Sequence, residues 1–207
     1  MESGRAYGKM ILLALLPTLV ACHRPAEEPG RPTTPDDSLL LTGDLVYRFG
    51  NGVYSAYFRD VSQHEKRYSH VGIVIMPDNG SPAQVVHAEA NDYTGQGHVR
   101  TEPLAGFLKE AHDWAVYRVQ AREQTGQDIA AKALGYSERR VPFDLEFDAA
   151  DTTAFYCTEL VMHCVNDALG ETRIRPNSRL SGRQVVAIDD TYLHDWVKMV
   201  TRKTGSK

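Results

Sequence analysis

Two widely separated segments constrain this chain more than anything else in it. Tyr68-Ser69-His70-Val71-Gly72-Ile73-Val74-Ile75 places a histidine at the mouth of an apolar run, which predicts a buried strand. Phe155-Tyr156-Cys157-Thr158-Glu159-Leu160-Val161 places a cysteine at the start of a helical-period stripe. That stripe continues through Cys164, Val165 and Ala168, and Gly170 ends it. A thiol at a helix N-terminus facing an imidazole on a strand is the arrangement that makes a cysteine nucleophile. The histidine precedes the cysteine in the chain. Taken singly, each residue also has a plainer reading, Cys157 as a small core hydrophobe and His70 as a satisfied core histidine.

The rest of the chain predicts an α+β domain. Asp44 to Phe49 reads as a first strand, Asn51-Gly52 as a turn, and Val53, Tyr54, Tyr57, Phe58 and Val61 recur at helical spacing. His70 to Met76 reads as a central strand. Pro77 to Pro82 is a hairpin turn, Gln84 to Ala90 the return strand, and His98 to Thr101 a third strand. A short helix over 103–111, a strand over 114–119 and a helix over 124–136 follow. Residues 141–151 read as an irregular acidic stretch, 173–184 as a basic loop, and 186–200 as a last helix or strand. Asp151, Thr152 and Thr153 are candidate N-caps for the cysteine helix. The positive end of that helix is expected to lower the pKa of Cys157.

The N-terminus reads differently. Arg5 and Lys9 precede a short apolar run, Met10 to Leu16. Such a run is too short to cross a hydrocarbon core of about 30 Å. Leu19-Val20-Ala21-Cys22 resembles a bacterial lipobox, which implies a signal peptide over 1–21 and lipidation of Cys22. Residues 22–38 carry the lipidated cysteine and a proline-rich linker expected to be disordered, and 39–207 form the folded domain. His23 after the cysteine favours an outer-membrane destination facing the periplasm over inner-membrane retention. The remaining thiols, Cys157 and Cys164, lie roughly 10 Å apart on one helix, too far for a disulfide.

At 207 residues, 42% hydrophobic, 24% charged and a net charge of -4, the chain has room for one ordinary core. No basic tract argues for nucleic acid. No metal-ligand spacing, phosphate loop or other cofactor motif occurs, so neither metal nor cofactor is expected. A base needs an orienting partner, and the return strand offers two on one face, His87 and Glu89. Glu89 is preferred, because a carboxylate better stabilises the imidazolium formed on thiol deprotonation.

In order, Thr42-Gly43-Asp44-Leu45-Val46, the His70 strand, Val85-Val86-His87-Ala88-Glu89-Ala90, Val141-Pro142-Phe143-Asp144 with Phe147-Asp148, and the Cys157 helix resemble the permuted papain-like cysteine amidases of the NlpC superfamily, YiiX-type branch. Phe143 stands where that family often has tyrosine. The resemblance covers about 42 to 200. It implies a circularly permuted papain-like fold, with an antiparallel sheet bearing the histidine and polar residue packed on a late cysteine helix. It further implies Cys157 as nucleophile, His70 as base and Glu89 as orienter, with His87, Thr158 and Asp144 as substrate-binding or alternative orienting groups. The expected activity is an envelope-anchored cysteine hydrolase cleaving cell-wall peptide or related amides through a thioester. A lipid amide or ester hydrolase or acyltransferase, and a non-catalytic envelope binding module, are the alternatives.

Overall fold

A computed structural model describes residues 34–50 and 55–203. The signal segment, Cys22, most of the linker, the Asn51-Gly52 turn and Val53 and Tyr54 lie outside the described residues. The described residues include the last part of the stretch read as linker. Asp36 accepts a hydrogen bond from the Ser38 amide at 2.9 Å and caps a 3-10 turn over Asp37–Leu39.

The described elements run β1 (Leu45–Phe49), α1 (Ser55–Val61), β2 (His70–Ile75), β3 (Gln84–Ala90), β4 (Gly97–Pro103), α2 (Leu104–Phe107), β5 (Asp113–Val119), α3 (Thr125–Glu138), α4 (Cys157–Leu169), β6 (Ser178–Leu180), β7 (Arg183–Val185) and β8 (Val197–Arg202). A six-stranded sheet has the order β4-β3-β2-β1-β5-β8, with every neighbouring pair antiparallel. The α+β class and the interior position of the histidine strand are as the sequence predicts. The stretch read as a basic loop instead contains the β6–β7 hairpin, and the last element is the edge strand β8 after a 3-10 turn at Asp189–Thr191.

Alternation along the strands divides the sheet into two faces. Leu45, Tyr47, Val71, Ile73, Val86 and Ala88 lie under α3 and α4, in one cluster with Ile129, Leu160, Val161 and Val165. Val46, Val74, Val85 and Val116 form the other face with Leu104, Phe107 and Leu108 from the α2 region. Strands apolar on both faces are buried strands, which accounts for their near-continuous hydrophobic sequence.

Three polar fixtures hold this frame. Asp44, buried at the entrance to β1, takes both Nε and Nη2 of Arg118 at 2.7 Å and the Leu41 amide at 2.8 Å. Asp189 Oδ2 accepts the amides of Gln63, His64 and Glu65 at 3.0, 2.7 and 3.2 Å, securing the chain that leads into β2. Residues 141–143 run along the outer side of β4: Val99 donates to the Val141 carbonyl at 2.8 Å and Phe143 to the Gly97 carbonyl at 3.0 Å.

One close approach requires glycine. Gly43 has φ +91°, and a Cβ there would stand 2.2 Å from the backbone oxygen of Gly126, in the first turn of α3.

Candidate active site

Cys157 is the first residue of α4. Tyr156 ahead of it is extended, at φ −91° and ψ 171°, and Glu159 Oε2 accepts the Tyr156 amide at 3.4 Å. The helix is capped there, not at Asp151, Thr152 or Thr153. Those residues close their own turn, in which the Thr153 amide and hydroxyl both donate to Asp151 Oδ1 at 2.8 Å. The residues flanking the thiol are both tied to Val186. Its amide donates to the Tyr156 hydroxyl at 2.9 Å, and its carbonyl accepts from the Thr158 hydroxyl at 2.6 Å. Thr158 is thereby buried and spoken for. Asp144 is also buried and accepts the amides of Glu146 and Asp148 at 2.8 and 2.7 Å, shaping the loop that leads to the helix. Neither residue lines the main cleft.

That cleft holds about 870 Å³ and brings together Cys157, His70 and Glu89 with residues the sequence reading did not single out, Arg48, Arg100 and Glu102. Strand register explains the assembly. Arg48 on β1 lies opposite His70 on β2, and His87 on β3 lies opposite Arg100 on β4. Arg100 lies in the segment read as a strand over His98 to Thr101, and Glu102 falls just beyond it because β4 runs on to Pro103, where alternation puts the two on one face.

The partner of His70 differs from expectation. His70 Nε2 meets His87 Nδ1 at 2.9 Å, and the two rings stand nearly perpendicular at 87°. Glu89 instead forms ion pairs with Arg48 and Arg100, the latter at 2.5 Å. Two guanidiniums outbid one imidazole for a carboxylate. His87 is fully buried under Phe107, and its other nitrogen, Nε2, lies 2.8 Å from Glu102 Oε1.

Burial sets the charge state of the reactive pair. The His70 imidazole is held well below its usual 6.5 by desolvation, then by the positive charges of Arg48 and Arg100 and by His87. Burial pushes the Cys157 thiol up to about 12, even though the amides of Val71 and Thr158 draw it the other way. The expected lowering by the helix terminus is overridden. Cys157 is 3% exposed, and a buried thiolate loses more hydration than one helix end restores. Both shifts favour the uncharged forms, thiol and imidazole. Alkylation of Cys157 by iodoacetamide is therefore expected to climb about tenfold per pH unit between roughly pH 6 and 9, following a small thiolate fraction. Mass mapping of the label checks this, and a rate level across that range would reveal a preformed ion pair instead. Cys164 is fully buried and its thiol is likewise raised, chiefly by desolvation, so it labels more slowly still.

A late cysteine helix laid on an antiparallel sheet whose early strands carry the histidines is a circularly permuted papain-like fold, and a thiol and imidazole opening on one cleft mark the cysteine hydrolases. The sequence agrees: a family model described as permuted papain-like amidase enzyme, YaeF/YiiX, C92 family, matches residues 40–192. The chain belongs to that family and is a cysteine-type amidase. Among solved structures, the crystal structure of metalloprotein YiiX from Escherichia coli O157:H7 matches at 20% identity and a TM-score of 0.63, covering 78% of this chain and 97% of that one. No curated protein matches the chain.

That neighbour is described as a metalloprotein. Here His70, His87 and Glu89 offer one donor atom each within 4.8 Å of one another. They do not suit a cation. The two imidazole nitrogens are bonded to each other, and Glu89 already lies between Arg48 and Arg100, whose charges repel a metal ion.

Proposed function

We propose that this amidase cleaves an amide bond in a charged envelope peptide through a thioester acyl-enzyme, with Cys157 as nucleophile and His70 as base. The observation that carries the substrate class is the cleft lining, which alternates cations and anions: Arg48, Glu89, Arg100, Glu102, Lys109 and Glu110. A zwitterionic peptide finds partners on such a surface, whereas a bare acyl chain desolvates it without return. His70 Nε2 is engaged by His87, so Nδ1 is the nitrogen left to take the thiol proton as sulfur attacks, and the same proton then passes to the leaving amine. Amides at the start of α4 support the oxyanion. His87 orients the imidazole, while Glu89 restrains the arginines above it.

A second reading, a lipid amide or ester, draws on Phe143, Leu145 and Phe147 at one end of the same cleft, where Leu145 is 56% exposed. The location proposed is the cell envelope. A signal peptide and lipidation of Cys22 would tether the domain to the outer membrane facing the periplasm, and Cys22→Ser should move the protein from the membrane fraction to the soluble one.

The mechanism is tested by mixing the protein with p-nitrophenyl acetate and digesting it for mass spectrometry. An acetyl group on Cys157, removable by hydroxylamine, is expected. Acetylation elsewhere with Cys157 unmodified sinks the nucleophile assignment. Competition of that acetylation by envelope peptides, and not by N-acyl amines, separates the two substrate readings.

A further inference from the structure

We propose that Glu102 is a positioning residue that sets the proton positions of both histidines, leaving a lone pair on His70 where the thiol proton must go. The proposal rests on the reading of His70 as the base.

The number of protons available limits the arrangement. A neutral imidazole carries one N–H and one lone pair, and which nitrogen holds which is fixed by the partner of the other. His87 is fully buried and engaged at both ends: Nδ1 is hydrogen-bonded to His70 Nε2 at 2.9 Å, and Nε2 stands 2.8 Å from Glu102 Oε1. An ionised carboxylate only accepts, so the proton of His87 sits on Nε2. Its Nδ1 then only accepts, and His70 must donate from Nε2. The one lone pair left on His70 is on Nδ1. The alignment runs from β4 across β3 to β2, three neighbouring strands, so sheet register holds all three groups in line.

A competing donor makes the alignment decisive. Arg100 Nε points at the same His87 nitrogen from 3.3 Å. Were that the governing bond, His87 would carry its proton on Nδ1 and donate to His70. His70 would then hold its proton on Nδ1 and have nothing with which to receive one from sulfur. The shorter bond to a charged acceptor wins. Arg100 is also drawn aside by Glu89 at 2.5 Å. The Glu102 carboxyl is held below its usual range, first by the His87 bond, in keeping with an anion in this place.

The test is a long-range proton–nitrogen correlation spectrum of the full chain labelled with 15N-histidine, which distinguishes a ring N–H from a lone pair. In the wild type, His70 and His87 should both carry the proton on Nε2. In Glu102→Gln, His87 should lose that single form and His70 should follow, while acetylation of Cys157 by p-nitrophenyl acetate slows by at least about tenfold. In Arg100→Met both histidines should keep the wild-type form. A lone pair on His87 Nε2 in the wild type, or a change of form in Arg100→Met, overturns the proposal even if Glu102→Gln fails to fold. If the forms follow Glu102 but Cys157 is never acetylated, the proton assignment stands and the reading of the reaction fails separately.

Discussion

Cys157→Ala is expected to lower turnover of an activated ester by roughly 10⁴-fold or more while leaving the fold in place. In the proposed mechanism the sulfur forms the acyl bond, and two nearby hydroxyls among the described residues are already engaged, Thr158 by the Val186 carbonyl and Ser69 by the Arg48 carbonyl. Loss of one buried sulfur costs about 1 kcal/mol of stability, well within reach of a urea titration. His70→Ala should fall nearly as far, and the double variant no further than the worse single one, because nucleophile and base act as a unit. Independent, multiplying losses, or a Cys157→Ala protein that still turns over, would return Cys157 to the status of a core cysteine.

Gly43→Ala is expected to destabilise the domain by about 3 kcal/mol, lowering its melting temperature by roughly 6–12 °C. Two effects add. The backbone at φ +91° disfavours any side chain, and a Cβ would overlap the backbone oxygen of Gly126 at 2.2 Å, which no rotamer change relieves. The control is Gly170→Ala at the end of α4. It has φ +69° with nothing within 4 Å, so only the conformational cost of about 1 kcal/mol remains. Equal melting shifts for the two variants would show that the contact between α3 and the entrance to β1 is loose.

Where periodicity spoke clearly, the sequence was enough. The apolar run from Val71 to Ile75 is apolar because both faces are covered, and the stripe from Cys157 to Ala168 faces the sheet. Where it failed, the elements were short or the decisive contact was distant. β6 and β7 are three residues each and bear Arg179 and Arg183, so no alternation was visible. The preference for Glu89 over His87 went wrong because it weighed charge on one strand alone. The arginines that claim Glu89 come from β1 and β4, and only register brings them there. The sign of the Cys157 shift was missed for a related reason. A helix terminus is legible from sequence, but the depth at which the fold buries it is not.

The strip of chain at 141–143, bonded along the outer side of β4, has a bearing on precision. β4 supplies Arg100 and Glu102 to the cleft, and fourteen positions after Phe143 the same chain delivers Cys157. The thiol and the groups behind the imidazole are thus both gauged from a common rail. Because Phe155, two residues before Cys157, donates to the Pro142 carbonyl at 2.9 Å, a displacement of that margin of the sheet is expected to carry both halves of the reactive arrangement together. An outermost strand, ordinarily the least steady member of a sheet, is here a datum line for the chemistry.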